Sequence, residues 1–179
     1  MNIIINGRHL EITPALKSYA EEKVTKFDRY RETMLRGNYP ARVDEKGRVK
    51  IPQAFLGVLR ENYAGDFFVT SLNGEFVRIW PLEEWSQIEA RLARVSSTNR
   101  AKKKFLNRVN YYGQQVKLDK QGRLLVPSLL REAAAMRGEV DVLGSLTYLD
   151  VWNHQRFLEE IKKNPITPDD EKSLDELGV

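Results

Sequence analysis

The chain contains one nine-residue segment twice, and this repetition limits its architecture more than any other feature of the sequence. Residues 44–52 read Asp-Glu-Lys-Gly-Arg-Val-Lys-Ile-Pro, and residues 119–127, which lie 75 positions later, read Asp-Lys-Gln-Gly-Arg-Leu-Leu-Val-Pro. The match resumes at Ile79-Trp80 and Val151-Trp152, where the offset is 72 positions. A repeat of this length has the size of a small domain rather than of a solenoid unit. The sequence therefore predicts an object with internal two-fold organisation.

Each copy predicts a strand, a turn and a second strand. The aspartate that opens the turn is suited to accept local backbone hydrogen bonds, and the glycine three positions later tolerates a left-handed conformation. A proline at the end of each copy, Pro52 or Pro127, opens a short helix. Asn73-Gly74 separates two apolar runs and is a strong hairpin signal. Further strands are predicted at residues 67–70, 76–80, 140–143 and 147–152.

Apolar residues at helical spacing predict the remaining helices. These follow Thr13-Pro14, run from Pro81 to Val95, run from Arg100 to Tyr112, and continue from Phe157 to Ile161. A β-prone run at residues 3–5 precedes the first helix, and one strand with one helix cannot close a core. The acidic tail after Pro165 and Pro168 is expected to be disordered.

Composition excludes several classes of site. The chain has no cysteine, so it offers neither disulfides nor thiolate ligands, and only His9 and His154 offer imidazole. No nucleophile with a base and an orienting group can be nominated, and no phosphate-cradling glycine-rich loop is present. We therefore predict no metal, no cofactor and no enzymatic activity. The absence of a signal sequence and of a long apolar run predicts a cytoplasmic protein without a membrane partner.

The charge is unevenly distributed along the chain. The net charge is +4, but residues 164–179 carry five acidic residues and one lysine, which leaves +8 on residues 1–163. A basic body favours a polyanionic partner such as nucleic acid, although an excess of this size also serves solubility alone.

Two stretches of the first repeat resemble a known family. Residues 34–40, Met-Leu-Arg-Gly-Asn-Tyr-Pro, and residues 43–52, which contain Asp44, Gly47 and Arg48, are similar to the opening of the MraZ family of bacterial transcriptional regulators. The Asp-x-x-x-Arg pattern, present twice with glycine and proline in register, is that family's signature. The resemblance extends from Met34 to about Leu158.

The resemblance implies a fold and a function. The implied fold is mainly β with helices (α+β), with two tandem swapped-hairpin β-barrel domains of the SpoVT/AbrB type preceded by a short β-α extension. The implied function is sequence-specific binding to promoter repeats upstream of the division and cell-wall gene cluster, as a ring-shaped homo-oligomer on the nucleoid, with repression as the expected effect. The expected units are a prefix at 1–33, a first domain at 34–84, a helical connector at 85–113, a second domain at 114–158, and a helix end with an acidic tail at 159–179.

The prefix resembles a different family. Residues 1–16 are similar to the start of ribosome hibernation promoting factors, but only a first strand and helix are present. Such factors need further strands and another basic helix to grip the small ribosomal subunit, so ribosome binding is not expected. A translation factor acting through this prefix is the alternative function, and a fusion remnant or an upstream start codon would also explain the segment.

The repeated arginines are the candidate DNA-reading residues. The guanidinium groups of Arg48 and Arg123 can each reach a phosphate or both acceptors of a guanine edge, which a lysine cannot do. Asp44 and Asp119 are expected to accept hydrogen bonds within the turns and to orient the arginines. The surrounding candidate cations are Arg36, Arg42, Lys46 and Lys50 in the first copy, and Lys117 and Lys120 in the second. Leu125 stands at the place of Lys50, which makes the first repeat the better DNA-facing surface.

The same patterns also have simpler interpretations. The Asp-x-x-Gly-Arg pattern is also good turn chemistry with a solvated arginine. Five basic residues between Arg100 and Arg108 form either a solvated helix face or a phosphate-contacting one. Trp80 and Trp152 are expected in the core or at subunit contacts rather than stacked on bases. A scaffold whose barrels only oligomerise is the third candidate function.

Overall fold

The structure is a computed structural model that describes residues 13–20 and 34–179. Residues 14–20 are helical, as predicted, whereas His9 and the strand predicted at residues 3–5 lie outside the described residues. The strands are β1 (Leu35–Val43), β2 (Arg48–Lys50), β3 (Asp66–Thr70), β4 (Val77–Pro81), β5 (Gln114–Lys117), β6 (Arg123–Leu125), β7 (Gly138–Leu146) and β8 (Tyr148–Asn153). The helices after residue 34 are α1 (Gln53–Asn62), α2 (Leu82–Ala93), α3 (Arg100–Tyr112), α4 (Ser128–Ala133), α5 (His154–Lys163) and α6 (Pro168–Glu176).

Strands of the two repeats are interleaved in pairs within one antiparallel sheet, whose order is β5-β3-β4-β8-β7-β1-β2-β6. β1 of the first repeat pairs along its whole length with β7 of the second, and β5 of the second pairs with β3 of the first. β2 pairs with β6. The outermost strands, β5 and β6, approach each other, so the sheet forms a nearly closed barrel. The predicted mainly β fold with helices and swapped hairpins is confirmed, and the hairpins are exchanged between the two repeats of the same chain.

One hydrophobic core serves both repeats. Val49 at the centre of β2 and Leu124 at the centre of β6 face each other in the ladder, and both are fully buried. Their neighbours on each three-residue strand point outward, as strand alternation requires. The same core cluster includes Phe67 and Val77 from the first repeat and Leu149 from the second. Because the core is shared, the strands that cross between repeats stabilise both halves together.

A second crossing between the repeats lies at β4 and β8. Arg78 lies opposite Asp150, and the two residues occupy equivalent positions of the repeats, 72 positions apart in the sequence. The approximate two-fold axis that relates the repeats (the pseudo-two-fold axis) therefore passes between them. The guanidinium donates to both carboxylate oxygens, at 2.8 and 2.9 Å, and lies 4.2 Å from the centre of the Tyr148 ring. Burial alone would lower the pKa of Arg78, but its hydrogen bonds and attraction to Asp150 raise it above its ordinary value. This arginine is therefore a permanently charged structural link.

The connector between the repeats adds a helical layer on β3. Asn99 caps α3 by accepting a hydrogen bond from the backbone N–H of Lys102. The hydroxyl of Thr70 at the end of β3 donates to the carbonyl of Val109, the buried residue of α3, at 2.6 Å. Trp85 of α2 stacks on Phe68 with ring centres 4.5 Å apart. Helices α2 and α3 are thus held over one face of the first repeat.

The tryptophans shared by both repeats are half-buried rather than central to the core. The ring of Trp80 lies 4.2 Å from that of Tyr148, and the ring of Trp152 stacks on Phe76 at 4.6 Å. The first pair joins β4 to β8, and the second joins β8 to the residue just before β4. A role of either tryptophan in subunit contacts stays a prediction.

The expectation of a disordered tail is wrong. Residues 168–176 form α6, which begins with a capping box in which the Thr167 hydroxyl accepts from the backbone N–H of Asp170 and the Asp170 carboxylate accepts from that of Thr167. Pro168 occupies the first turn, where its missing N–H costs nothing, and the acidic residues there match the helix dipole. Composition suggested disorder, but the local capping pattern specifies a helix.

Among the described helices, none has both the length and the apolar character needed to cross a membrane.

A comparison of two glycines tests the turn geometry. Gly47 has φ +77, and a methyl group there would collide with the Arg131 guanidinium, whereas Gly57 in α1 has open space around it. We expect Gly47→Ala to lower the free energy of unfolding by about 1–2 kcal/mol or more because of the left-handed backbone. Gly57→Ala should raise it by about 0.5–1 kcal/mol, since alanine favours the helix. Urea denaturation of both variants checks this, and equal effects would contradict the assigned turn.

Candidate nucleic-acid interface

The two repeated turns lie side by side and are bonded to each other. Within each turn, the glycine N–H donates to the aspartate carbonyl, from Gly47 to Asp44 at 2.8 Å and from Gly122 to Asp119 at 3.0 Å. Between the turns, the Ile51 N–H donates to the Gly122 carbonyl at 2.9 Å. The symmetric bond, from the Val126 N–H to the Gly47 carbonyl, is 3.0 Å long. These reciprocal bonds bring together two segments that are 75 positions apart in sequence.

Four charged side chains meet where the turns touch, and we call Asp44, Arg48, Asp119 and Arg123 the Asp–Arg cluster. Arg48 Nε donates to Asp44 Oδ2 at 2.8 Å, and Arg123 Nε donates to Asp119 Oδ2 at 2.7 Å. The cross-repeat distances are longer, 3.8 Å from Arg48 Nη1 to Asp119 Oδ2 and 3.9 Å from Arg123 Nη1 to Asp44 Oδ2. Each arginine therefore has a close carboxylate in its own repeat and a more distant one in the other.

The aspartates also hold the turns. Asp44 Oδ1 accepts from the backbone N–H groups of Lys46 and Arg48 at 3.0 and 2.9 Å. Asp119 Oδ1 accepts from those of Gln121 and Arg123 at 2.8 and 2.9 Å. The hydrogen bonds expected of both aspartates are confirmed. Their contribution to DNA binding, by orienting the arginines, stays a prediction.

Both carboxyl groups are held in the ionised form. The side-chain hydrogen bond from Arg48 is the main cause that lowers the pKa of Asp44 below its ordinary 3.8. At Asp119, partial desolvation would raise the pKa, but the backbone and side-chain hydrogen bonds from Arg123 outweigh it, so the pKa is again lowered. The cluster is thus two ion pairs over the whole physiological pH range.

The arginines of the cluster are only partly accessible. The side chains of Arg48 and Arg123 are 27% and 25% exposed, and the two aspartates balance their charge. An incoming phosphate or base edge would share each guanidinium with its aspartate instead of meeting a free cation. The ion pair weakens the attraction of each arginine for an anion but fixes its orientation, because the carboxylate holds the guanidinium plane in one position before any ligand binds.

The other candidate cations separate into two groups. Lys50 is exposed and lies opposite Arg123, while Leu125 lies opposite Arg48, so one exposed face of the β2/β6 ribbon carries residues of both repeats. Lys46 and Lys120 are exposed in the adjacent turns. This face, consisting of the Asp–Arg cluster with Lys46, Lys50, Lys120 and Leu125, is called the ribbon face below.

Three predicted cations lie beside or away from the ribbon face. Arg42 is exposed near the end of β1, in register with Glu139. Lys117 is 81% exposed, with its amine 3.6 Å from Asp66. Arg36 lies near the opposite end of β1, about 23 Å from Val43 at the rise of a strand, and donates to the Met34 sulfur. The structure therefore does not bring Arg36 together with the turns.

Two arginines that the sequence did not indicate support the turns. Arg131 of α4 donates to the Lys46 carbonyl at 3.3 Å and covers Gly47. Arg60 of α1 donates to the Lys120 carbonyl, also at 3.3 Å. In each case a helix of one repeat supports the turn of the other. No local sequence signal identifies these contacts, because they depend on the exchange of strands.

Comparison with known proteins identifies the family. The model of the MraZ protein family matches residues 34–108 and 113–177, which include both turns of the Asp–Arg cluster. The chain belongs to the MraZ family. A model described as sigma 54 modulation protein / S30EA ribosomal protein also matches residues 3–53, in agreement with the resemblance of the prefix.

Several relatives in the MraZ family are covered over their full length. Proteins named transcriptional regulator MraZ from Acidobacterium capsulatum and Koribacter versatilis are 50% and 48% identical over 146 and 147 residues. The protein of the same name from Caldicellulosiruptor bescii is 31% identical over 147 residues. Each alignment covers 82% of this chain and 100% of the relative. The MraZ part of this chain is therefore a full-length match, and the recognition of this family from the repeated turns is confirmed.

The lowered pKa values of the cluster predict a stability that depends on pH. Because folding depresses the pKa of Asp44 and Asp119, their stabilisation is complete above the ordinary value of 3.8 and is lost as the pH falls below it. The parent should therefore melt at a higher temperature than Asp44→Asn/Asp119→Asn at pH 7. This difference in Tm should shrink at pH 3.

The control for this experiment is Glu61→Gln/Glu132→Gln, which removes two exposed carboxylates from the first and second repeat. Its Tm should follow that of the parent at both pH values. A difference between the parent and the aspartate variant that is as large at pH 3 as at pH 7 would contradict the assigned ionisation.

Proposed function

We propose that this chain is a DNA-binding transcriptional regulator that contacts DNA through the ribbon face. The observation that carries the proposal is the meeting of both signature turns at one exposed two-stranded ribbon. The relatives are named transcriptional regulators, and membership of their family supports the same role here. The basic character of residues 1–163, with a net charge of +8, favours a polyanionic partner.

The ribbon has dimensions and chemistry suited to the major groove. A two-stranded ribbon fits a groove about 12 Å wide, and an arginine fork matches the two acceptors of a guanine edge. Arg48 and Arg123 would supply these forks, because the aspartates already fix their planes. Lys46, Lys50 and Lys120 would contact phosphates and set the position of the ribbon. In this arrangement the aspartates orient the arginines and do not touch DNA.

The biological role follows from the family resemblance. The proposed target is the promoter region of the division and cell-wall gene cluster, where binding to repeated sites represses transcription, in the cytoplasm and at the nucleoid. A ring-shaped homo-oligomer would present several ribbon faces to successive repeats. Once one ribbon face is bound, the others are held at a high effective concentration near the next repeats, so several weak contacts together give tight binding. A non-enzymatic role accords with this proposal.

Replacement of both arginines by lysine tests the reading of bases. Arg48→Lys/Arg123→Lys keeps the charge but removes the fork, so discrimination between the upstream repeats and a scrambled DNA should fall by about 1–3 kcal/mol per lost bidentate contact. Fluorescence anisotropy at one salt concentration measures both affinities. Lys163→Ala is the control, because this exposed lysine lies on α5 and pairs with Glu159. Unchanged discrimination in the double lysine variant would refute base reading by the cluster.

The two equivalent ribbon positions, Lys50 and Leu125, offer a test of the phosphate contacts. Lys50→Ala should weaken binding to all sequences alike and reduce the slope of log affinity against log salt by about one per ribbon face. Leu125→Lys should do the opposite, because it places a second lysine at the symmetric, 44% exposed position. Salt titrations of both variants provide the measurement. Slopes that match the parent in both variants would exclude these positions from the interface.

A second function is favoured by the match of residues 3–53 to the ribosomal protein model. A translation factor that acts through the prefix would sediment with ribosomes. Sucrose-gradient profiles of the full chain and of a chain that starts at Met34 separate the two functions. Cosedimentation that is lost with residues 1–33 would support the ribosomal role, whereas promoter binding that persists without them supports the regulator.

A further inference from the structure

The C-terminal segment, residues 164–179, is folded but uncovered. Every residue from 161 to 179 is exposed, including Leu177 at 78% and Val179 at 82%. Helix α6 has only nine residues, and a helix shorter than about 12–15 residues is marginal in water without packing. Its capping box sets where the helix starts but buries no apolar surface. The segment therefore has the properties of a helix that is completed by docking.

The segment carries a directional pattern of charge. Its net charge is −4. Glu171 and Asp175 lie one turn apart on one side of α6. Leu174 and Leu177, the residue that caps the helix, lie one turn apart on the neighbouring side. The partner surface should thus be apolar, with a basic rim on one side.

Helix α3 of the same chain carries a basic stripe. Arg100, Lys104 and Arg108 are spaced by four residues, so they follow one exposed line along the helix. Lys103 is exposed beside them, and α3 contains no acidic residue. This stripe could hold an acidic helix with the same four-residue spacing.

An apolar groove lies directly next to the basic stripe. It has a volume of 270 Å³ and is bounded by Trp85 and Ile88 of α2, Phe105 and Val109 of α3, Trp80 of β4, and Phe76 just before β4. Because Phe105 and Val109 each follow a basic residue of the stripe, the groove and the stripe share one edge of α3. The combination matches the leucines and carboxylates of the C-terminal segment.

We propose that the C-terminal segment of one copy docks on the α3 groove of a second copy. Leu174 and Leu177 enter the apolar groove, and Glu171 and Asp175 pair with Lys104 and Arg108. The contact forms between copies, since the segment is exposed within the single chain and contributes no residue to the lining of the groove. The inference rests on the homo-oligomer of the proposed function and identifies the surfaces that join it.

The geometry of this contact has a consequence for assembly. The segment and the groove are different surfaces, so each copy uses one surface on each of two neighbours. Such a head-to-tail contact produces a closed ring if the rotation per copy closes. Apolar burial supplies most of the affinity, while the charge pattern selects the register.

Charge exchange between the two surfaces provides the test. The tail variant is Glu171→Lys/Asp175→Lys, and the helix variant is Lys104→Glu/Arg108→Glu. In each variant alone like charges face each other, so native mass spectrometry should show half-dissociation of the assembly at a concentration at least about tenfold above that of the parent. A chain that carries all four substitutions should assemble like the parent.

Mixing the two single-surface variants gives a sharper result. In an equimolar mixture, each contact is complementary only when the two variants alternate, so assemblies should contain equal numbers of both and an even number of copies. The control, Glu61→Lys/Glu132→Lys, changes the net charge as the tail variant does but alters exposed positions on α1 and α4. It should assemble like the parent.

Leu177→Ala tests the apolar part without a change of charge. Since this leucine is 78% exposed in the single chain, its loss should leave the Tm of the dissociated chain unchanged and weaken assembly roughly tenfold. Arg48→Lys/Arg123→Lys should keep the parent subunit number, so a failure of DNA reading is distinguishable from a failure of docking.

Three outcomes would overturn the docking proposal. The first is a parent that stays monomeric at every concentration measured. The second is parent-like assembly in both charge variants. The third is a tail variant that keeps its subunit number but binds DNA more tightly, which would place the acidic segment over the DNA-binding surface instead.

Discussion

The pairing of β2 with β6 joins the two repeats and closes the core that they share. Each strand has only three residues, and neither could form a stable sheet with its own hairpin alone. Across the pair, Val49 and Leu124 close the core, and the backbone bonds between the turns join the two halves. The Asp–Arg cluster exists only because this pairing brings residues 44–48 and 119–123 together.

In the proposed function, the Asp–Arg cluster both holds the turns together and reads DNA with the same side chains. The aspartates reduce the positive potential at the ribbon, yet they also hold the turns and orient the guanidinium groups. Free lysines at the turns would supply a stronger but less directed attraction to phosphate. The asymmetry between Lys50 and Leu125 means that the two halves of the ribbon would not contact a DNA site equally.

The α3 groove and the acidic C-terminal segment arise where the two repeats differ. Arg78 and Asp150 lie on the pseudo-two-fold axis where β4 pairs with β8, and these two equivalent positions carry opposite charges. Helix α3 connects the repeats and has no equivalent after the second one, so its basic stripe and groove occur once in residues 34–179. The acidic α6 likewise follows only the second repeat. A surface that occurs once per chain suits a head-to-tail contact.

Neighbouring residues alone specify the local elements of this protein. The turn at Asp44 and Gly47 and the Asn73-Gly74 hairpin depend on neighbouring residues, so the predictions of both agree with the structure. The capping box at Thr167 was equally local, and acidic composition alone misled the expectation for the tail. Three features arise only in the folded chain: the partner of each strand, the neutralisation of the arginines, and the placement of Arg131 over Gly47. These features depend on contacts between segments about 75 positions apart, which local propensity does not encode.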